Sequence, residues 1–285
     1  MTIQEARRHG MQRLSAIYPS GEASTISDWL IEHITGTKAS DRHTSLTKEL
    51  GTEQCLLQER LLDRLLMHEP VQYVLGEAWF FGLRFKVNAN VLIPRPETEE
   101  LVEWVIDNCK FPLGDLNILD IGTGSGCIAI ALKRRLGKAT VWGCDLSKGA
   151  LELAKENARN LGADVNFVEL DFLSAEARSS LPTFDIIISN PPYIPERDRA
   201  EMHANVLEFE PHLALFVPDN DGLIFYRAIA EFGKTHLRKD GTAYTEIYEG
   251  AGESTLQLFQ QAGYQSELKK DMQGKDRMIR ATVKV

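Results

Sequence analysis

The sequence contains few cysteines and no pair of them at the spacing of a metal or redox motif. Its 285 residues include four cysteines that stand far apart: Cys55, Cys109, Cys127 and Cys144. Such thiols are expected to be reduced, as in cytoplasmic proteins, so we predict neither a disulfide framework nor structural zinc. The seven histidines are also scattered. Without carboxylate or Cys/His partners at ligand spacing, they predict no metal site.

Long apolar segments are absent as well. No apolar run approaches the roughly 20 residues that a membrane-spanning helix needs. The first eight residues, Met1–Arg8, lack the apolar stretch of a secretion signal. We therefore expect a cytoplasmic protein without membrane partners.

The chain also lacks a basic excess. Residues 1–90 carry 10 basic and 11 acidic side chains, and residues 91–285 carry 22 and 30, for a formal net charge of −9. A protein that binds nucleic acid directly needs a cationic surface to neutralise phosphates. A nucleic-acid substrate is therefore not expected.

The length favours two domains, and the patterns along the chain suggest where they meet. Residues 1–70 read as helical, because leucines recur at helical spacing between Thr52 and His68, and Thr2–Leu14 and Asp28–Ile34 are shorter candidates. Residues 71–91 contain an aromatic and β-branched stretch around Gly82, which predicts a β-hairpin linker. Residues 92–285 form the remaining domain. The N-terminal helices carry no catalytic pattern, so we expect them to recognise a partner.

Strands and helices alternate beyond Asn117. This alternation predicts an α/β fold with a mostly parallel sheet and helices on both faces, whose ligands bind at the carboxyl ends of the strands. The predicted strands are Asn117–Ile121, Ala139–Cys144, Val165–Glu169, Asp185–Ser189, Gly241–Ile247, Gln265–Lys269 and Arg277–Val283. The predicted helices are Ile128–Leu136, Ala150–Leu161, Leu223–Leu237 and Ser254–Ala262, preceded by Glu100–Asn108.

A glycine-rich loop follows the first of these strands and opens a helix. Gly122, Thr123, Gly124, Ser125 and Gly126 let the backbone turn sharply and approach a ligand closely. A phosphate-binding P-loop would need Gly-Lys-Ser/Thr here, and a dinucleotide loop would have the spacing G-x-G-x-x-G. The compressed G-x-G-x-G spacing favours a ligand without phosphates, and S-adenosylmethionine fits this description.

Acidic residues close the next two strands. Asp145 can accept hydrogen bonds from both ribose hydroxyls of such a ligand, although it could instead serve only to cap the helix that starts near Ser147. Asp171 and Phe172 could hold an adenine, the carboxylate through the exocyclic amine and the ring by stacking. An Asp-Phe pair is also common in plain loops, so the adenine-binding interpretation depends on the position of this pair directly after a predicted strand.

The segment Asn190-Pro191-Pro192-Tyr193 directly follows the fourth predicted strand. Its prolines stiffen the chain and leave carbonyl groups free to accept hydrogen bonds. The Asn190 amide and the Pro191 carbonyl could bind a planar NH2 group while the Tyr193 ring stacks on its face. Asn190, Pro191 and Tyr193 are therefore the candidate catalytic residues, and Asn190 through Tyr193 are the candidate substrate site. Because stacking uses the ring alone, Tyr193→Phe is expected to be mild.

Taken together, these motifs resemble one family. The segments Pro70–Gly76, Leu92–Glu99, the glycine loop, Asn190–Tyr193, Glu210-Pro211 and Lys275–Arg277 are similar to those of the bacterial peptide chain release factor N5-glutamine methyltransferases, the HemK or PrmC family. The segment Leu92–Glu99 can also be explained by helix-start chemistry alone, since proline and acidic residues often precede a helix.

The resemblance implies a class I S-adenosylmethionine-dependent methyltransferase, with a seven-stranded Rossmann-like sheet whose last strand is antiparallel, behind a small N-terminal helical bundle. It implies that Gly122–Gly126, Asp145, Asp171, Phe172 and Asn190 contact the cofactor, which leaves as S-adenosylhomocysteine. The implied substrate is the glutamine of the Gly-Gly-Gln motif in class I release factors. One departure is Tyr248, which stands where the family pattern Glu-x-Gly after the fifth strand has a small residue.

Other functions share parts of this pattern. DNA methyltransferases that modify adenine N6 or cytosine N4 also use Asp/Asn-Pro-Pro-Tyr, but the acidic balance of the chain disfavours duplex binding. A sister glutamine methyltransferase acts on a ribosomal protein. In that enzyme the segment corresponding to Arg95–Glu99 has the sequence Arg-Ser-Pro, so the present sequence favours the release-factor enzymes. A non-catalytic cofactor-binding module would be expected to have degenerate loops. A serine hydrolase would need a G-x-S-x-G elbow, which the sequence lacks.

Overall fold

The structure is a computed structural model that describes residues 1–37, 46–109 and 116–283. The remaining parts of the predicted domains, residues 38–45, 110–115 and 284–285, lie outside the described residues. The chain divides into two compact units: Met1–Glu77 together with His203–Phe209, and Ala78–Met202 together with Glu210–Val285.

The first unit is helical, as predicted. It contains α1 (Ile3–Leu14), α2 (Ser20–Thr35), α3 (Thr52–Leu66) and α4 (Val71–Leu75). Apolar residues from α1, α2 and α3, among them Leu14, Leu30 and Leu62, form a fully buried cluster. Helix α2 starts eight residues before the predicted Asp28, and α4 occupies the start of the predicted linker. Helix α4 has only five residues, too few to show a helical period, whereas the first turns of α2 are rich in Ser, Thr and Gly, which hid its start.

The second unit begins with a β-hairpin inside the predicted linker. Strands β1 (Glu77–Phe80) and β2 (Leu83–Lys86) pair in a two-stranded sheet. The turn between them has two residues with positive φ, Phe81 (51°) and Gly82 (74°). This conformation matches the right-handed twist of paired strands, and the glycine adopts it without steric strain.

The predicted seven-stranded sheet is present. Its strands are β3 (Asn117–Ile121), β4 (Thr140–Asp145), β5 (Val165–Glu169), β6 (Phe184–Ser189), β9 (Leu237–Glu246), β10 (Tyr264–Lys270) and β11 (Asp276–Val283). The order across the sheet is β10-β11-β9-β6-β3-β4-β5. All neighbours pair in parallel except β11, which is antiparallel to both β9 and β10. The α/β fold with an antiparallel last strand is thereby confirmed.

Helices connect the strands and cover both faces of the sheet. They are α5 (Pro96–Asn108), α6 (Cys127–Leu136), α7 (Lys148–Asn160), α8 (Ala175–Arg178), α10 (Ile224–His236) and α11 (Gly252–Gln261). The alternation of side chains along β6 shows the two layers, because Ile186 and Ile188 join the core with α5 and α6, whereas Ile187 joins the core with α10 and α11.

Residues 194–217 contain short elements that the sequence did not predict. Strands β7 (Ile194–Pro195) and β8 (Phe216–Val217) pair in parallel, and helix α9 (Ala204–Phe209) lies between them in the chain. None of these elements is long enough to show a hydrophobic period. Among the described residues, no helix is long and apolar enough to cross a membrane, and no cluster of His, Cys, Asp and Glu could hold a metal ion.

Candidate active site

A cavity of about 280 Å³ lies at the carboxyl ends of the central parallel strands. Strand β3 has β4 on one side and β6 on the other, so the strand order reverses at this point. Diverging connections leave a crevice there, which is the usual ligand site of open α/β sheets. The cavity walls come from the segments that follow β3, β4, β5 and β6, together with residues 90–98 and 211–214.

The glycine loop forms one wall with its bare backbone. Gly122, Gly124 and Gly126 have φ values of 71°, 53° and 81°, a region that other residues adopt only with strain. A Cβ atom on Gly122 would meet nothing within 4 Å, whereas one on Gly126 would lie 3.0 Å from Ile130 Cδ1 and 3.2 Å from Ala154 Cβ. The first glycine thus leaves room for a ligand, and the third lets α6 pack closely.

The N–H groups of this loop are mostly used within the protein. Gly122 and Thr123 both donate to the Cys144 carbonyl, Gly126 donates to the Thr123 carbonyl, and Gly124 donates to Asp145 Oδ2. A phosphate site would instead need several such donors directed at the ligand. The geometry therefore supports a ligand without phosphates, as the glycine spacing suggested.

Asp120 stabilises the glycine loop through two hydrogen bonds. Its fully buried carboxylate accepts from Thr123 Oγ1 at 2.6 Å and from the Ala129 amide at 3.2 Å, so that it ties the end of β3 to the start of α6. Burial raises the pKa of Asp120 to about 7. Its Oδ1 atom has no hydrogen-bond partner among the described residues.

Asp145 is held rigidly at the edge of the cavity. Its Oδ2 accepts from the Gly124 amide at 2.9 Å and its Oδ1 from the Ser147 amide at 2.8 Å. Each carboxylate oxygen can accept a second hydrogen bond, so both remain able to bind ligand hydroxyls. The Ser147 side chain itself caps α7 by accepting from Ala150, and Asp145 also holds the Gly124 amide, so its contacts extend beyond the start of that helix. Burial raises the pKa of Asp145, against the hydrogen bonds from Ser147 and Gly124.

Asp171 and Phe172 both line the cavity, in different ways. Asp171 Oδ1 accepts from the Leu173 amide at 2.9 Å. The Phe172 ring is nearly buried, with the Phe232 ring edge-on at 5.3 Å and the Arg178 guanidinium 5.5 Å from its centroid. Much of the ring surface is thereby already covered. Phe172 is more suited to supporting an adenine by its edge than by face-to-face stacking.

The Asn190–Tyr193 segment leaves β6 beside the same cavity. Asn190, Pro191 and Pro192 line the cavity, whereas Tyr193 and Gly126 do not. Asn190 Nδ2 donates to Thr98 Oγ1 at 3.0 Å, and Thr98 Oγ1 donates to Glu246 Oε2 at 2.7 Å. The Tyr193 hydroxyl donates to the other oxygen of the same carboxylate, Glu246 Oε1, at 3.1 Å.

Glu246, at the end of β9, thus binds Tyr193 directly and reaches Asn190 through Thr98. It is 1% exposed, and burial raises its pKa, while the hydrogen bonds from Thr98 and Tyr193 and the charge of Arg277 oppose this rise. Burial and the nearby Glu246 charge raise the pKa of Tyr193 well above its usual value. The phenol therefore stays protonated and acts as a donor.

Thr98 has a position in the site that local sequence patterns did not predict. It lies in the Leu92–Glu99 segment, whose proline and acidic residues could be explained by helix-start chemistry, and Pro96 is indeed the first residue of α5. Thr98 is only 2% exposed and reaches both Asn190 and Glu246. The resemblance of Leu92–Glu99 to the family was the sequence feature that pointed to a functional role for this segment. Hydrogen bonds across 92 and 148 residues could not be read from local spacing.

Comparison with known proteins agrees with this architecture. Residues 118–209 match the family described as "Methyltransferase domain". A methyltransferase from Pyrococcus furiosus superposes with a TM-score of 0.54 at 16% identity, covering 80% of this chain and all of that one. The METTL16 methyltransferase domain gives 0.52 at 19% identity, covering 71% and 89%. The fold, with its glycine-loop cavity at the carboxyl ends of the strands, defines a class I S-adenosylmethionine-dependent methyltransferase.

Curated relatives narrow this class to one family. The release factor glutamine methyltransferases of Flavobacterium psychrophilum and Bacteroides thetaiotaomicron are 45% and 42% identical to the chain, over 98% and 95% of its length and 99% and 96% of theirs. Residues 5–76 match the family described as "PrmC N-terminal domain". The chain belongs to the release factor glutamine methyltransferases.

Proposed function

We propose that this enzyme methylates the side-chain nitrogen N5 of the glutamine in the Gly-Gly-Gln motif of class I release factors. The observation that carries the proposal is the position of Asn190, which lines the same cavity as the glycine loop and follows directly on β6. A carboxamide presented there would lie beside the bound cofactor. S-adenosylmethionine, when bound, supplies an electrophilic methyl group.

The residues of the cavity fit this cofactor. The loop Gly122–Gly126 presents bare backbone with few spare donors, which suits a ligand that carries no phosphate. Asp145 keeps acceptor capacity for the ribose hydroxyls, and Asp171 with Phe172 would hold the adenine. Ser125 also lines the cavity, with its hydroxyl group buried.

The substrate amide is unreactive because its nitrogen lone pair is delocalised into the carbonyl group. Asn190 Oδ1 and the Pro191 carbonyl would each accept a hydrogen bond from the NH2 group and so raise the electron density on nitrogen. They would also fix its orientation, and positioning of this kind can lower a barrier by about 7–11 kcal/mol. Tyr193 would support the amide plane with its ring while its hydroxyl stays bound to Glu246. S-adenosylhomocysteine would leave as the C–S bond breaks, and no strong base is required, since the nitrogen becomes acidic once it is alkylated and water can accept its proton.

The test is methyl transfer from labelled S-adenosylmethionine to a purified release factor, followed by mass mapping of the modified residue. We expect a single methyl group on the glutamine of the Gly-Gly-Gln loop and none when this residue is changed to asparagine. Asn190→Ala should lower turnover far more than cofactor affinity, whereas the control Asn160→Ala, at an exposed position of α7, should change neither. Near wild-type turnover by Asn190→Ala would refute the assignment.

Two other substrates are the alternative outcomes of this experiment. Label in duplex DNA would identify an adenine or cytosine methyltransferase, which uses a similar four-residue motif. Label in a ribosomal protein would identify the sister glutamine methyltransferase. The acidic balance of the chain supports a protein substrate over a nucleic acid. Because release factors act in the cytoplasm, we place the enzyme there.

The first helical unit, predicted as residues 1–70, would recognise the body of the release factor. Support comes from its large exposed apolar side chains, which include Trp29 at 44% and Leu56 at 60% exposure. In the full chain, Trp29→Ala and Leu56→Ala should raise KM for the whole factor but not for a short Gly-Gly-Gln peptide. Trp79→Ala, an exposed tryptophan of the other unit, is the control. An equal effect on both substrates would refute this role.

A further inference from the structure

The side chains that hold Asn190 determine which end of its amide meets the substrate. The Thr98 hydroxyl has one proton and lies between Glu246 Oε2 at 2.7 Å and Asn190 Nδ2 at 3.0 Å. An ionised carboxylate can only accept hydrogen bonds. The Thr98 proton therefore goes to Glu246, and the lone pairs of its oxygen can only accept from Asn190.

This order has a consequence for the reaction. Since Asn190 Nδ2 faces Thr98 and uses one of its two protons there, the carbonyl oxygen Oδ1 lies on the other branch of the amide and can accept from a ligand. A flipped amide would place one NH2 group against the NH2 of the substrate, and two donors cannot form a hydrogen bond. The distinction matters because asparagine alone has no preference between the two orientations.

The same carboxylate also fixes the other end of the segment. Tyr193 donates to Glu246 Oε1, and the Tyr226 hydroxyl donates to the Glu246 main-chain carbonyl at 3.2 Å. Glu246 and Thr98 are both almost completely buried, so water does not compete for these bonds. One rigid acidic group thus contacts both Asn190 and Tyr193, one directly and one through Thr98.

We infer that Thr98 and Glu246 are positioning residues that set the amide orientation of Asn190, so that its carbonyl oxygen accepts from the substrate amide. The inference concerns the orientation itself, and its catalytic consequence rests on the proposed function. Thr98 lines the cavity and Glu246 does not, and the role inferred for both acts through Asn190.

The first measurement needs no methyl transfer. In the cofactor-free enzyme with 15N-labelled asparagine side chains, the Asn190 NH2 signals are identified by their loss in Asn190→Ala. One of the two protons should exchange slowly, because it is bound to Thr98. Thr98→Val should abolish this protection and Thr98→Ser should keep it. Unchanged protection in Thr98→Val would overturn the inference.

The second measurement is a double-mutant cycle on the methylation rate. Loss of one ordinary hydrogen bond corresponds to about a tenfold change in rate, so Thr98→Val should lower kcat about tenfold with little change in the KM for cofactor. Thr98→Ser should restore most of it. In the Asn190→Ala background, the Thr98→Val change should have almost no further effect, because it acts only through Asn190. The same tenfold loss in both backgrounds would overturn the inference.

A matched control removes a neighbouring hydroxyl. Thr245 Oγ1 is as deeply buried as Thr98 and has no hydrogen-bond partner among the described residues. Thr245→Val should therefore leave kcat unchanged. If it lowered kcat as much as Thr98→Val does, the effect would come from removing any buried hydroxyl, and the inference would be overturned. If even the wild-type enzyme modified no release factor, the proposed function would fail, while the exchange data would still decide the orientation.

Discussion

The buried carboxyl group of Asp120 should make the stability of the methyltransferase unit depend on pH. Burial raises its pKa from 3.8 to about 7. A raised pKa means that the folded state holds the proton more tightly than the unfolded state. The stabilising contribution is then fully present below about pH 4 and is lost as the pH rises through 7.

The magnitude follows from the size of the shift. A difference of roughly three pKa units, at about 1.4 kcal/mol each, gives roughly 4 kcal/mol in the free energy of unfolding. Asp120→Asn keeps the shape and an acceptor for Thr123 and Ala129 but cannot ionise. About 1 kcal/mol of this is already lost at pH 4.5, so relative to wild type the variant should gain roughly 3 kcal/mol in stability between pH 4.5 and pH 8.5.

Urea unfolding across this pH range, followed by tryptophan fluorescence, measures the difference. Three of the four tryptophans, at positions 79, 104 and 142, lie in the unit that contains Asp120. Asp164→Asn, at an exposed position, controls for the loss of a carboxylate as such. A stability difference between Asp120→Asn and wild type that stays constant within 1 kcal/mol would refute the reasoning.

Three further substitutions test the packing and the hydrogen bonds of the site. Gly126→Ala combines positive-φ strain with a crowded Cβ atom, so it should lower the free energy of unfolding by about 2–4 kcal/mol. Gly162→Ala has similar strain without crowding and should lower it by about 1 kcal/mol. Urea unfolding measures both. Tyr193→Phe removes a donor to the buried Glu246 and should lower kcat by about tenfold or more; an unchanged kcat would mean that only the ring matters. Arg95→Ala leaves the buried carboxylate of Glu210 without its ion-pair partner. It should destabilise the protein by about 3 kcal/mol in thermal unfolding, whereas Arg95→Lys should destabilise it less.

The role of the Tyr193 hydroxyl group could not be predicted from the sequence. From the sequence alone, the ring was given the role of a stacking surface and the hydroxyl none. In the structure, the hydroxyl bonds to Glu246, which lies 53 residues away in the chain. Such a partner depends on how two strands are brought together, and no local spacing encodes it.

The parts that could be predicted are those with local physical signatures. Alternating apolar runs identified all seven strands of the main sheet, and the positive-φ glycines after β3 marked the ligand loop. Strand β9 starts four residues before the predicted Gly241, because its pairing with β6 shifts register between Phe184 and Ile186. Residues 194–217 form elements of two to six residues, which are too short to show any period.

The energetic cost of Glu246 argues for a role beyond stability. Burying a carboxylate is unfavourable, and apolar residues of similar volume often stabilise a core more than a buried charge does. Two hydroxyl donors and the charge of Arg277 offset part of this cost, yet burial still raises the pKa of Glu246. A neutral amide in its place could donate to Thr98 and so reverse the direction of the hydrogen bonds that reach Asn190. An ionised carboxylate is an obligate acceptor and keeps that direction, which is a role for Glu246 at the end of β9 that an apolar residue could not fill.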